Sequence, residues 1–155
     1  MTGIALVIRR LDRTLEESLT SLFREIKAST DVLRFHPHPF DDETAHWIAN
    51  YAGQDLYCGA MCQGEQRLVG YGMLRGWDAG YTTPSLGIII SQHARGKGLS
   101  KPLMSFLHTA ARDHGCANVR LKVYRDNISA VRLYENLGYV FGCEEDGQLV
   151  GILDL

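Results

Sequence analysis

The residues best suited to chemistry in this chain lie in Ile88-Ile89-Ile90-Ser91-Gln92-His93-Ala94-Arg95-Gly96-Lys97-Gly98-Leu99-Ser100. An apolar, β-branched run leads into a loop bearing Gly96 and Gly98. The loop opens directly onto Leu99, Leu103, Phe106, Leu107, Ala110 and Ala111 at helical spacing. The first amides of a helix have no intrahelical partner, and the helix dipole adds partial positive charge there. Glycines let the main chain come close to a ligand. Together these features suit a pyrophosphate cradle, to which Arg95 and Lys97 would add charge. The plainer alternative is a strand-to-helix turn in which the glycines serve geometry alone.

Two known phosphate loops fail on single positions. A nucleoside-triphosphate loop needs Ser or Thr after Gly-Lys, but Gly98 follows Gly96-Lys97. A dinucleotide fingerprint needs a third glycine three residues beyond Gly98, where Lys101 stands. A second segment, Asn127-Ile128-Ser129-Ala130-Val131-Arg132-Leu133-Tyr134-Glu135-Asn136-Leu137-Gly138-Tyr139, reads as a helix stopped by Gly138. Asn127 can cap it, and Tyr134 lies about two turns later on the same face. Alone, the stripe of Ala130, Leu133, Tyr134 and Leu137 would be ordinary core.

Together the two segments resemble the GCN5-related N-acetyltransferase (GNAT) superfamily. Its loop carries Gln or Arg, then two residues, Gly, one residue, and Gly or Ala. Here that reads His93-Ala94-Arg95-Gly96-Lys97-Gly98, with His93 in the first place. The later segment fits the family's Asn-x-x-Ala-x-x-Leu-Tyr-Glu-x-x-Gly-Phe/Tyr pattern throughout. The resemblance implies a transferase that moves acetyl from acetyl-CoA, its co-substrate, to a primary amine by direct attack in a ternary complex, with no metal. It assigns the CoA pyrophosphate to the amides of Arg95, Gly96, Lys97, Gly98, Leu99 and Ser100. Ile88, Ile89 and Ile90 would contact the acetyl and pantetheine portions, and Asn127 the cofactor arm. It sets the Tyr134 hydroxyl beside the sulfur. There a phenol with a pKa of about 10 can protonate the departing thiolate and stay protonated at neutral pH.

An attacking amine must lose a proton, and no carboxylate stands in residues 86–90 to take it. The acceptor side is expected from His36, His38 and Phe40, on a frame stiffened by Pro37 and Pro39, and from Asp78 and Tyr81 in a turn. The competing reading is a solvated loop and an ordinary turn residue. A small amine is the expected acceptor, a peptide amine the alternative. The rival to an enzyme is a non-catalytic acyl-CoA-binding regulatory module.

These residues need a scaffold to position them. Residues 4–8 suit a strand, and Thr14 with Glu17 suits a capping box before a helix running to Ala28. Asp41 or Asp42 can cap a second helix through Tyr51. Residues 56–62, 67–77 and 85–90 read as strands, Val119, Leu121 and Val123 as a half-buried one, and 139–145 with 148–154 as a hairpin across Asp146-Gly147. The order predicts an α/β fold: a mixed central sheet of about six to seven strands with helices on both faces. Residues 1–155 are expected to form one domain.

Composition sets the outer bounds. A net charge of −2 argues against a nucleic-acid partner. No apolar run approaches the ~18 residues of a membrane span, and no leader pattern opens the chain, so a cytoplasmic location is expected. Cys58, Cys62, Cys116 and Cys143 form no CxxC pair, which points to reduced thiols rather than a metal site. Exposed sheet edges in such a fold can pair into a homodimer.

Overall fold

The computed structural model describes residues 5–155. Ile4, the start of the expected first strand, lies outside the described residues. The elements are β1 (Leu6–Arg10), α1 (Glu16–Ala28), α2 (Asp42–Ala49), β2 (Leu56–Cys62), β3 (Leu68–Arg75), β4 (Ser85–Ile90), α3 (Ser100–Asp113), β5 (Asn118–Val123), α4 (Ile128–Asn136), β6 (Val140–Glu145) and β7 (Gln148–Asp154). The strands form one open sheet in the order β1-β2-β3-β4-β5-β7-β6.

Local chemistry explains the boundaries. The Thr14–Glu17 capping box does not form. Asp12 instead accepts from the Thr14 amide at 2.9 Å and starts a short 3-10 turn that leads into α1. The shorter carboxylate reaches the free amide first. Asp41 caps α2 through Thr44 N at 2.8 Å. That helix stops at Ala49 rather than Tyr51, because the Tyr51 amide bonds the Ile48 carbonyl three residues back and leaves the α-helical ladder. Asp146 and Gly147 both take positive φ, 53° and 77°, as a type I′ hairpin requires.

The sheet separates two apolar layers. On one face, Leu19, Leu22, Phe23, Ile26 and Ile48 of the first two helices pack on Tyr57, Tyr71, Met73 and Ile89. On the other, Leu103, Leu107, Ala111 and Tyr134 pack on Leu74, Leu86, Ile90, Val119, Leu121 and Val123. Phe23 and Leu103 are fully buried, which contributes about 2 kcal/mol each. β4 is therefore apolar on both faces, as a central covered strand must be.

The feature that matters for function is the seam between β4 and β5. It is the sheet's one parallel pairing, and its register holds a single pair, Ser85↔Arg120. Every other adjacent pair is antiparallel with five or six residue pairs. Beyond Ser85 the two strands part. One backbone edge of residues 86–90 is thus left without a strand partner and open to something else.

Candidate active site

One side of the opened seam carries a bare glycine loop and an unpaired strand edge. Ser91, at the exit of β4, donates its hydroxyl to both carboxylate oxygens of Glu25 at 3.0 Å, and His93 Nε2 lies 3.2 Å from Glu25. The end of the central strand is thereby pinned to α1. Gly96 and Gly98 then follow with φ of 74° and 73°, which cost an L-residue about 1–2 kcal/mol each. A Cβ on either would meet nothing within 4 Å, so the main chain there lies bare. No side chain caps the first amides of α3. The guanidinium of Arg95 turns inward, to Asp31 at 2.6 Å and the Ile90 carbonyl at 3.2 Å. Its side chain braces the loop, while Lys97 stays exposed.

Inside the seam is a chamber of about 410 Å³ lined by Ile88, Ile89, Ile90, Ser100, Asn127 and Tyr134, among others. Asn127 holds the N-cap position of α4, but its side chain makes no capping bond, contrary to expectation. Its backbone, at φ −82° and ψ 71°, leaves the side chain accepting only a long 3.5 Å bond from Ser129. Tyr134 is 9% exposed, and burial pushes its phenol up to about 12. Tyr139 packs edge-on against it with centroids 5.8 Å apart, and is itself fixed by a 2.8 Å bond to His108. The Tyr134 hydroxyl makes no hydrogen bond among the described residues.

A second chamber, of about 950 Å³, opens on the α1–α2 side of the sheet. Its lining includes His36, Arg75, Asp78, Tyr81, Ser85, Gly87 and Arg120, and it shares Arg34, Phe35, Ile88, Lys122 and Tyr134 with the first. Gly87 is a packing requirement. A Cβ there would sit 2.8 Å from Met73 Cε and 3.0 Å from the Phe35 ring. Phe35 therefore lies on the central strand, and His36 follows it with Nε2 2.8 Å from the Tyr124 hydroxyl.

A profile of the Acetyltransferase (GNAT) family matches residues 17–139. The chain belongs to the GNAT acetyltransferase family. Over 69 residues it is 33% identical to the probable spermine N(1)-acetyltransferase of Bacillus subtilis subsp. natto (strain BEST195). It is 32% identical over 69 residues to the spermine/spermidine N(1)-acetyltransferase of Bacillus subtilis (strain 168). Each alignment covers 43% of this chain and 45% of the relative, so the chain matches less than half the length of these proteins. The GNAT domain of S. lividans PAT shares the fold with a TM-score of 0.80 at 18% identity, over 96% of this chain and 89% of that one. The PaiA N-acetyltransferase from Thermoplasma acidophilum, solved with coenzyme A, does so at 0.77 and 17%, over 98% and 100%.

Within this GNAT fold, the residues expected from sequence divide by place. Ile88, Ile89, Ile90, Arg95, Ser100, Asn127 and Tyr134 gather around the seam chamber. Gly96, Lys97, Gly98 and Leu99 form the loop and turn at the start of α3, with Leu99 buried against the core. His36, Asp78 and Tyr81 line the larger chamber. His38 and Phe40 do not. His38 Nδ1 donates to the Pro39 carbonyl at 2.8 Å, so Nε2 accepts from the buried Tyr71 hydroxyl at 2.9 Å. Burial lowers the His38 pKa. Phe40, 3% exposed, meets Phe23 edge-on at 5.0 Å. Both rings cover apolar surface of α1 and β3, which removes them from the chamber wall. Sequence reading missed Arg75, Ser85, Arg120 and Lys122. Their alternation on β3, β4 and β5 was legible, but the face on which the chamber would open was not.

Among the described residues, no group of three or more His, Cys, Asp or Glu side chains could hold a metal ion. No described helix is long and apolar enough to cross a membrane.

Proposed function

We propose that this GNAT acetyltransferase acetylates a small primary amine by direct attack within a ternary complex, with Tyr134 as general acid. The single observation that carries the reading is that Tyr134 lines both chambers, the seam side and the α1–α2 side. A group at that junction can touch donor and acceptor at once. The residues present fit acetyl-CoA. Bare amides at Gly96 and Gly98 and the uncapped start of α3 suit a pyrophosphate. The unpaired edge of residues 86–90 suits an extended amide-bearing arm. Acetyl-CoA supplies a thioester carbonyl for the amine and a thiolate that must leave.

Tyr134 can hand its phenolic proton to that sulfur, because a pKa of about 12 keeps it protonated at neutral pH. The same burial that raises the phenol also raises a thiol. Buried Cys58 is pushed up to about 12 by desolvation. His36, with its ring in the acceptor chamber, is the candidate to draw the proton from the amine through water. Small-amine acceptors are supported by the relatives named as spermine acetyltransferases. Four free cysteines suit the reducing cytoplasm, where we place the chain.

Calorimetric titration with acetyl-CoA, followed by thiol release over an amine panel, tests the reading. Binding together with amine-dependent CoA release supports it. Binding without release from any amine would instead favour a non-catalytic acyl-CoA-binding module.

A further inference from the structure

The acceptor chamber carries a charge pattern that narrows the substrate, given the acetyltransferase reading above. We infer that the acceptor amine bears an anionic group, a carboxylate or phosphate, which Arg75 binds. Arg75 and Ser85 are register partners across β3 and β4, and Ser85 pairs with Arg120 across β5. Cross-strand partners share a face. The three side chains therefore form a row on the α1–α2 face, all lining the larger chamber.

The other cations of that chamber are already neutralised. Arg120 pairs with Glu145, Lys122 with Asp146 at 2.9 Å, and Arg34 with Asp126 at 3.4 Å. Arg75 forms no ion pair among the described residues. Its Nη1 donates to the Pro37 carbonyl at 2.9 Å, which fixes the guanidinium without satisfying its charge. A held, half-buried guanidinium with spare donors is a ready partner for a planar or tetrahedral anion. The Ser85 hydroxyl stands beside it as a further donor.

The acids of the chamber argue the complementary point. Asp55 is 8% exposed, and one of its oxygens accepts from the amides of Gly76, Trp77 and Asp78. Asp78 accepts from the Tyr51 hydroxyl and from Gln54 N. Asp146 is taken by Lys122. Of the carboxylates lining the chamber, Asp146 is ion-paired, while Asp55 and Asp78 have oxygens committed to amides and a hydroxyl of the fold. A polycation such as spermine would have to seat its further ammonium groups beside the unpaired Arg75 guanidinium.

The test uses matched amines that differ only in the anion: L-amino acids against their carboxamides, and an aminoalkyl phosphate against the corresponding amino alcohol, with spermidine alongside. Wild type should turn over the anionic members with kcat/KM about ten-fold to a hundred-fold above their neutral partners, the range of a charged hydrogen-bonded contact. Arg75→Gln keeps a donor for Pro37 O, so the loop should hold and the melting temperature should stay near wild type. It should raise KM for the anionic members while leaving kcat and acetyl-CoA affinity alone. Arg75→Lys should recover part of the preference. A carboxylate favoured over phosphate, or the reverse, identifies which anion the site takes. Equal turnover of charged and neutral partners, preference for spermidine, or an unchanged preference in Arg75→Gln overturns the inference while leaving amine acetylation standing. Failure to bind acetyl-CoA, or binding without turnover of any amine, removes the acetyltransferase reading and this inference with it.

Discussion

Replacing Tyr134 with Phe removes one oxygen and tests the proposed acid directly. The structure predicts that the change is nearly silent for folding. The ring is 9% exposed and packs against Tyr139, contacts that Phe keeps. The hydroxyl has no hydrogen bond to lose among the described residues, so stability should move by less than about 1 kcal/mol. Catalysis should not be silent. A positioned general acid contributes about 10²–10⁴ in rate. Were the phenol at about 12 asked to protonate a thiolate with the aqueous value of about 8.5, transfer would be uphill by roughly 5 kcal/mol. Transfer to the sulfur must therefore run in concert with C–S cleavage, as the thiolate departs. The expected result in single-turnover assays is therefore a fall in kcat of at least about 100-fold. The acetyl-CoA dissociation constant and melting temperature should stay close to wild type. The wild-type rate should also show no alkaline loss from Tyr134 below about pH 10, because the group still holds its proton there. A variant within threefold of wild-type kcat, with chemistry shown to be rate-limiting, would falsify the role given to Tyr134.

Other expectations follow from the same geometry. Gly98→Ala must adopt φ near 73° and should cost about 1–2 kcal/mol by urea unfolding, with weaker acetyl-CoA binding by calorimetry. Unchanged affinity would remove the loop from the donor site. Gly87→Val would drive a side chain into Met73 and the Phe35 ring, so acceptor KM should rise more than acetyl-CoA KM. His38→Ala leaves the buried Tyr71 hydroxyl unpaired and should destabilise by about 1–3 kcal/mol in thermal unfolding. His36→Ala should leave the melting temperature alone and lower kcat. Stability should also fall in alkali. Below pH 10 folded and unfolded Tyr134 are both protonated and contribute no slope. Above it the unfolded phenol ionises first, while the folded one holds its proton to about 12, so about 3 kcal/mol is lost across that window. Tyr71 and Tyr139, also raised by burial, steepen the loss. A flat urea midpoint between pH 9 and 11 would contradict it.

Much of the fold was legible because its signals are local. Apolar alternation marked β5, Asp146-Gly147 marked the last hairpin, and the apolar run from Leu86 to Ile90 marked the covered strand. The bounds of β2 and β4 came out as the periodicity implies. What escaped the sequence was choice among near-equivalent partners. Asp12 competes with Thr14 for the same helix start, and only three-dimensional reach decides between them. The same holds for the loop bracketed by Pro37 and Pro39. Two prolines announce an extended segment from Arg34 to Phe40, yet which rings turn inward depends on Phe23 and Tyr71, which lie far away in sequence. The charged row of Arg75, Ser85 and Arg120 was invisible for a similar reason. It exists only once β3, β4 and β5 are set in register.

The most direct test of the account is calorimetry with acetyl-CoA on the full chain, paired with thiol release over amines of every charge type. One-to-one binding that Gly98→Ala weakens is expected, with CoA released only when an amine is added. Absence of acetyl-CoA binding to the folded chain would contradict it outright.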